Sequence, residues 1–485
     1  MAEARAPARP VEFGSRRTLV ERRPDGARVL RAPEALGDYA LPLTRYLAQW
    51  ARQAPGRVFL AQRDAARRWR TMTYAEVHTA VLRLAQALID RGLSPERPIA
   101  ILSGNDIEHA LLALAAMHVG VPYASISQPY SLVSTDFGKL KYILGQFGPA
   151  LAFCANGARF ATAIAAAVPP SCELVVSESA PPGRAATAFS ALLARAPTEA
   201  VERAFERVGP DTIAKLLFTS GSTGMPKGVI NTQRMLCANQ QMIVQTLPLF
   251  AATPPVVVDW LPWSHTFGGN HNFGIVLRNG GSFYINDGAP TPALFERTVE
   301  NLRDVAPTVH FDVPRAYDLL VGHLRRDATL RRNFFSRLQL LFYAGAALPQ
   351  HLREALDGLA IETCGQRIAM ITSFGATETA PYSLVVNWDR DHAANLGLPA
   401  PGLEFKLAPV GDKFEARVRG PNVMPGYWRQ PELSRAAFDE EGFYRMGDAL
   451  RFADPADPQA GLVFDGRIAE DFKLSTGTWG TVGTL

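Results

Sequence analysis

The stretch that decides the fold is Ile99-Ala100-Ile101-Leu102, followed by the polar turn Ser103-Gly104-Asn105-Asp106, a helical run to His118, and Val121-Pro122-Tyr123-Ala124-Ser125-Ile126. Two short apolar runs separated by a helix of this length form a βαβ unit, because parallel strands need a crossover connection. The same alternation recurs on both sides of it. Upstream, helical periodicity begins near Leu43 and stops at Pro55, and a second helix is predicted from Thr73. There Thr73-Tyr74-Ala75-Glu76 reads as a capping box, Val77, Val81, Leu84 and Leu88 mark one apolar face, and Gly92 follows as the terminating residue. Downstream, a second βαβ-like passage leads into Leu151-Ala152-Phe153, and Ala180 to Thr187, with two prolines and a glycine, reads as a surface loop.

At 485 residues the chain is too long for one ordinary domain. An apolar fraction of 47% and a charged fraction of 20% are those of a globular protein with a sizeable core. Fifty basic against 46 acidic residues give a net charge of +4, with the arginines dispersed, which is too weak to argue for nucleic acid or a membrane surface as a partner. Cys154, Cys172, Cys237 and Cys364 show no ligand spacing and read as mostly buried free thiols in a reducing compartment. The N-terminal dozen residues, rich in Ala, Arg and Pro, read as a frayed tail without the apolar core of a secretory signal, and no run reaches membrane-spanning length. A cytoplasmic enzyme is expected, and a homodimer is left open. Character changes near Gly397, where Gly, Pro and short β-rich runs such as Phe405-Lys406-Leu407 and Glu415-Ala416-Arg417-Val418-Arg419 take over. The expected organisation is therefore a lead-in over 1–40, an α/β body of two subdomains over 41–396, a smaller β-rich subdomain over 397–466, and a hinge segment over 467–485.

Chemistry concentrates first in Thr219-Ser220-Gly221-Ser222-Thr223-Gly224-Met225-Pro226-Lys227-Gly228, which follows the buried-strand pattern Lys215-Leu216-Leu217-Phe218 and precedes Val229-Ile230. The hydroxyls are small donors, glycine lets backbone N–H groups approach an anion closely, and Lys227 adds a cation for negative oxygens. The spacing GxxxxGK[ST] cannot be placed on it, so a P-loop kinase or GTPase is excluded. Taken alone, an ordinary Ser/Gly turn remains the alternative.

This segment resembles the phosphate-binding signature of the adenylate-forming superfamily of acyl- and aryl-CoA ligases, luciferases and peptide-synthetase adenylation domains. Further motifs follow in the superfamily's order. Leu261-Pro262-Trp263-Ser264-His265-Thr266-Phe267-Gly268 resembles the segment whose histidine borders the acyl pocket, and Ala344-Gly345-Ala346-Ala347-Leu348 the turn against adenine and acyl group. Ser373-Phe374-Gly375-Ala376-Thr377-Glu378 is similar to the aromatic-Gly-x-Thr-Glu motif. The resemblance implies Phe374 on the adenine face, Thr377 on the α-phosphate, and Glu378 holding Mg²⁺. Tyr444-Arg445-Met446-Gly447-Asp448 matches the segment whose aspartate binds the ribose hydroxyls, and Asp465-Gly466-Arg467 the one whose arginine reaches the nucleotide. Lys227, Thr377 and Glu378 are thus implied as catalytic. Thr219, Ser220, Gly221, Ser222, Thr223, Gly224, Gly345, Ala346, Ala347, Ser373, Phe374, Gly375, Asp448 and Arg467 are implied around ATP or AMP, and His265, Phe267 and Gly345 around the acid. Trp260, Trp263 and Phe267 are expected to be part core and part pocket wall.

Within the superfamily, Val121 to Ile126 with Tyr130-Ser131-Leu132-Val133-Ser134, and Ala469-Glu470-Asp471-Phe472-Lys473-Leu474 with Gly477-Thr478-Trp479, resemble bacterial feruloyl-CoA synthases. The resemblance implies an α/β fold, ATP-dependent activation of a hydroxycinnamic acid such as ferulate, and transfer to coenzyme A, with ATP, Mg²⁺ and coenzyme A as cosubstrates. Other aryl- or medium-chain fatty-acid ligases, and a catalytically impaired nucleotide- or acyl-binding module, are the alternatives. Two departures stand out. The expected hinge position carries Ala469, followed by Glu470 and Asp471, and the sequence stops at Leu485, where the family continues into a small domain bearing a catalytic lysine. On that reading this polypeptide binds ATP and acid but forms adenylate slowly. His271, His310 and Asp312 fit no ligand spacing and are assigned no metal.

Overall fold

The computed structural model describes residues 6–220, 224–388 and 394–468, and the backbone of 471–473 and 479–481. The predicted βαβ unit is present. Strand Ile99–Ile101 pairs in parallel with Tyr123–Ser125 on one side and Leu151–Asn156 on the other. They sit in a seven-stranded sheet that continues through Glu173–Glu178 to Thr187–Ala188, and in the other direction to Ile213–Ser220 and the antiparallel edge strand Pro226–Thr232.

Side-chain alternation explains why these strands read as continuous apolar runs. Ile99, Ile101, Leu151, Phe153 and Val175 point into the large central core. Their neighbours Ala100, Leu102, Ala152, Cys154, Leu174 and Val176 enter a second core under helices Gly138–Phe147 and Ala161–Ala167. A strand buried on both faces has no polar side to show.

The connecting helix Ile107–His118 lies inside the central core with every residue except Glu108 buried, as expected of a helix apolar all round. Helix Tyr74–Asp90 begins at the predicted box, with Glu76 N–H donating to Thr73 Oγ1 (3.3 Å) and Thr73 N–H to Glu76 Oε2 (2.7 Å). Gly92 follows in the left-handed region at φ 62°.

An eleven-stranded sheet forms the opposite wall. Its parallel part is Val309–Asp312, Leu340–Tyr343 and Ala369–Phe374. Val309, Phe311, Leu340, Phe342 and Ile371 face the shared central core, while Leu341, Tyr343 and Met370 face an outer core under helices that include Pro314–Arg326 and Gln350–Cys364. A four-stranded sheet of Val256–Asp259, Ser282–Ile285, Val58–Arg63 and Trp69–Thr73 completes the body.

The β-rich segment after Gly397 supplies antiparallel strands, including Glu404–Val410, Lys413–Arg419, Tyr444–Phe452 and Leu462–Arg467, that extend the eleven-stranded sheet. Two strands from the lead-in, Leu19–Arg22 and Arg28–Arg31, cover its far edge. The segment expected to fray is docked from Ala6 onward. Arg9 donates to the carbonyls of Phe335 (3.0 Å) and Leu338 (2.5 Å), at and just after the end of helix Ala328–Ser336. Among the described residues, no helix is long and apolar enough to cross a membrane.

Candidate active site

The loop Thr219 to Gly228 turns between two antiparallel strands, with Thr219 opposite Lys227 and Ser220 opposite Pro226. Gly221, Ser222 and Thr223 lie outside the described residues. Gly224 adopts φ 88° with open space around it, the left-handed geometry that favours glycine. Lys227 is half-buried, and its ammonium stands 5.2 Å from the centroid of the Tyr427 ring.

Beside this hairpin runs the segment Asn422 to Trp428. Trp428 N–H donates to Gly228 O at 2.8 Å, and Val229 bridges Tyr427. Tyr427 Oη donates to Glu378 Oε1 at 3.0 Å, and Met424 N–H donates to Glu378 O at 2.8 Å. Tyr444 joins the group, since Glu378 and Tyr427 both interact with its phenol. Burial, reinforced by the Glu378 charge, pushes both phenols above the ordinary tyrosine value, so they remain protonated donors. Lys227 and Glu378, far apart in sequence, thus flank one aromatic ring. Tyr427 was not singled out in the sequence, where Pro425-Gly426-Tyr427-Trp428 carries only a turn signal.

Glu378 lies in the short turn Thr377–Thr379, which follows strand Ala369–Phe374; Thr377 and Glu378 are buried. The turn is fixed by backbone geometry. Ala380 takes φ 65°, and a side chain at Gly375 would place its Cβ 1.6 Å from the carbonyl oxygen of Pro381. Gly375 itself is solvent-exposed, so close approach and not burial demands glycine there. Ser373 and Phe374 are half-buried.

Asp312, Tyr343 and Thr372 stand in one row across three parallel strands. The turn at Gly345, Ala346 and Ala347, all exposed, therefore emerges beside the turn at Gly375 to Glu378, both past carboxyl ends of strands. That edge is where open α/β sheets bind ligands. Gly345 takes φ 86°. Asp448 and Arg467 face each other across adjacent antiparallel strands, with Arg467 Nε 3.3 Å from Asp448 Oδ1. Asp448 shares its strand with Tyr444.

The segment Leu261 to Phe267 is held from the polar turn of the βαβ unit. Asn105 Nδ2 donates to Leu261 O and Trp263 N–H donates to Asn105 Oδ1, each at 2.9 Å. A π-helical turn, Phe267–Asn272, follows. Gly268 and Gly269 are required there, because a Cβ would lie 2.3 Å from Leu261 O and 2.4 Å from Trp263 O respectively. His265 keeps solvent access, and the protein crowded around the rest of its ring disfavours the imidazolium and lowers its pKa. Phe267 is buried against Phe342, with ring centroids 5.8 Å apart, on the strand that leads to Gly345. Trp263 is buried edge-on to His109, while Trp260 is half-buried and donates to Asp312 Oδ1 at 3.0 Å. His310 Nε2 lies 3.4 Å from Asp312 Oδ2, and His271 binds Asn272 instead.

The AMP-binding enzyme family matches residues 47–428. An anthranilate–CoA ligase of Pseudomonas aeruginosa is 32% identical over 285 residues, 57% of this chain and 50% of the relative. A feruloyl-CoA synthase of an Amycolatopsis species is 28% identical over 398 residues, 78% of this chain and 70% of the relative. The chain thus spans between half and seven tenths of the length of these relatives. Among solved structures, ATP-bound MatB from Rhodopseudomonas palustris aligns with a TM-score of 0.71 at 23% identity, over 92% of this chain and 82% of that one. The family match takes in the hairpin loop and the Thr377-Glu378 turn and ends before Asp448 and Arg467, and the chain belongs to the AMP-binding enzyme family.

Proposed function

We propose that the chain activates an aromatic acid of the hydroxycinnamate type as its adenylate at the expense of ATP, then transfers the acyl group to coenzyme A. The observation that carries this reading is the meeting of Lys227 and Glu378 at Tyr427, beside the hairpin loop. A carboxylate is a poor electrophile. Its attack on the α-phosphorus of ATP expels pyrophosphate and replaces an oxide leaving group with AMP. Negative charge then builds on phosphorus-bound oxygens, so the site must offer donors and cations, not a protein nucleophile.

On this reading Lys227, the Thr377 hydroxyl and the loop amides serve as such donors, and Asp448 accepts from ribose hydroxyls. Glu378 is one buried carboxylate, and among the described residues no group of three or more His, Cys, Asp or Glu side chains could hold a metal. That donor set suits Mg²⁺, which takes one or two carboxylates and completes its shell with phosphate oxygens and water. Held by Glu378, Mg²⁺ would neutralise phosphate charge. The aromatic neighbours Trp260, Phe267 and Phe342 favour a flat acid over a long alkyl chain.

The test is ATP–pyrophosphate exchange with a panel of ferulate, coumarate, benzoate, anthranilate and octanoate, followed by thioester formation with coenzyme A. Ferulate or coumarate is expected to give the highest kcat/KM. Turnover of octanoate with the hydroxycinnamates ignored would overturn the substrate assignment, and no exchange with any acid would overturn the activity.

A further inference from the structure

Lys215 is a buried cation that the proposed chemistry does not use. It lies on strand Ile213–Ser220, four positions before Thr219, and only 3% of it is exposed. Its stem lines a small cavity with His109, Met117, Tyr123, Trp263 and Phe273. Among the described residues no carboxylate pairs with it. Its Nζ instead donates to the carbonyl of Gly269 at 2.9 Å, inside the π-helical turn Phe267–Asn272.

That carbonyl belongs to a residue with little freedom. On one side Gly269 presses on the Trp263 backbone so closely that no side chain fits. Its own N–H donates to His265 O at 2.9 Å. A second tie runs in parallel, for Asn270 Nδ2 donates to Asn231 Oδ1 at 2.8 Å, and Asn231 lies on the return strand Pro226–Thr232 of the same hairpin. The phosphate-loop hairpin and the segment carrying His265 and Phe267 are therefore bolted together at two buried points. Burying an ammonium without a counter-ion costs stability, and desolvation lowers the Lys215 pKa to about 7. An apolar residue would fill the same cavity without that cost, so the cost calls for a role.

We propose that Lys215 is a positioning residue for adenylation, clamping the π-helical turn beside the acid site to the strand that leads into the phosphate loop. The clamp fixes the distance between the acid's carboxylate and the α-phosphorus without touching either. This inference rests on the activity proposed above.

The test compares wild type, Lys215→Met, Asn231→Ala and the double variant in ATP–pyrophosphate exchange. Misplacement of reacting groups by about 1 Å lowers rates by roughly a hundredfold. Lys215→Met is therefore expected to lose at least about tenfold in kcat, with the KM values for ATP and for the acid changing by less than about threefold. The double variant should fall by less than the product of the two single losses, since both ties serve one alignment. Unchanged kcat in a folded Lys215→Met protein, or losses that multiply independently, would overturn the clamp. If the wild type exchanges no pyrophosphate with any acid, the activity reading falls, and hydrogen exchange then decides the clamp. Faster exchange of the backbone amides from Phe267 to Phe273 in Lys215→Met supports it, and unchanged exchange overturns it.

Discussion

Replacing Lys215 by methionine keeps an unbranched stem in the cavity and removes only the titrating amine. In the folded protein that amine has a pKa near 7, lowered from 10.5 by burial. In the unfolded chain it holds its proton until the pH approaches 10.5. Between those values the unfolded state binds more protons than the folded one, so the amine makes stability rise with pH. The whole shift corresponds to about 5 kcal/mol at about 1.4 kcal/mol per unit. From about pH 7 to about pH 9 the share is about 2 kcal/mol, because the folded amine is half-protonated at the lower end. His109 and Tyr123, the titratable groups nearest the amine, are unchanged in the variant, as are the buried cysteines, so their contributions largely cancel. Urea unfolding of both proteins across this range should show the wild type gaining about 2 kcal/mol on Lys215→Met as the pH rises, and no relative change below about pH 6. Parallel curves would refute the reasoning, for they would mean that the amine titrates alike in both states.

Three further outcomes are expected. Tyr427→Phe removes the hydrogen bond to Glu378 and should lower kcat/KM for ATP by about tenfold or more, as expected for a bond to a charged group of about 1.5–3 kcal/mol, with a raised Mg²⁺ requirement. Pyrophosphate exchange at varied Mg²⁺ checks it. Gly375→Ala drives a Cβ into the Pro381 carbonyl and should lower Tm and abolish exchange, although the position is exposed. Asp448→Ala should weaken AMP binding by about ten- to a hundredfold, measured by calorimetry, through loss of a charged acceptor.

Much of the fold was legible because it is written locally. The run from Ile99 to Ile126 named the parallel sheet, and Thr73 with Glu76 named a helix start, since a capping box and a doubly buried strand each carry their signal within a few residues. What could not be read depends on distant pairing. Leu19–Arg22 and Arg28–Arg31 are short, half polar and without alternation, and nothing near them says that they cover the edge of a sheet built from the other end of the chain. The site divides in the same way. Glu378 and Lys227 stood out through motifs, whereas Tyr427 and Asn105 act through contacts that only folding creates. Lys215 read as one polar letter in a strand; that no described carboxylate pairs with it is a property of the packed interior.

The N-terminal ribbon carries a consequence for synthesis. Thr18 N–H is received by the side chain of Gln459, 441 positions later, and Arg28–Arg31 pairs with Glu404–Val410. At roughly 5–20 residues per second, the first strands leave the ribosome some 20–90 s before their partners exist. Throughout that interval they must avoid other exposed strand edges. The charges that make them unremarkable as sequence, Glu21, Arg22, Arg28 and Arg31, are the kind that discourage premature pairing. That edge of the eleven-stranded sheet is thus covered by strands that precede their partners by hundreds of residues.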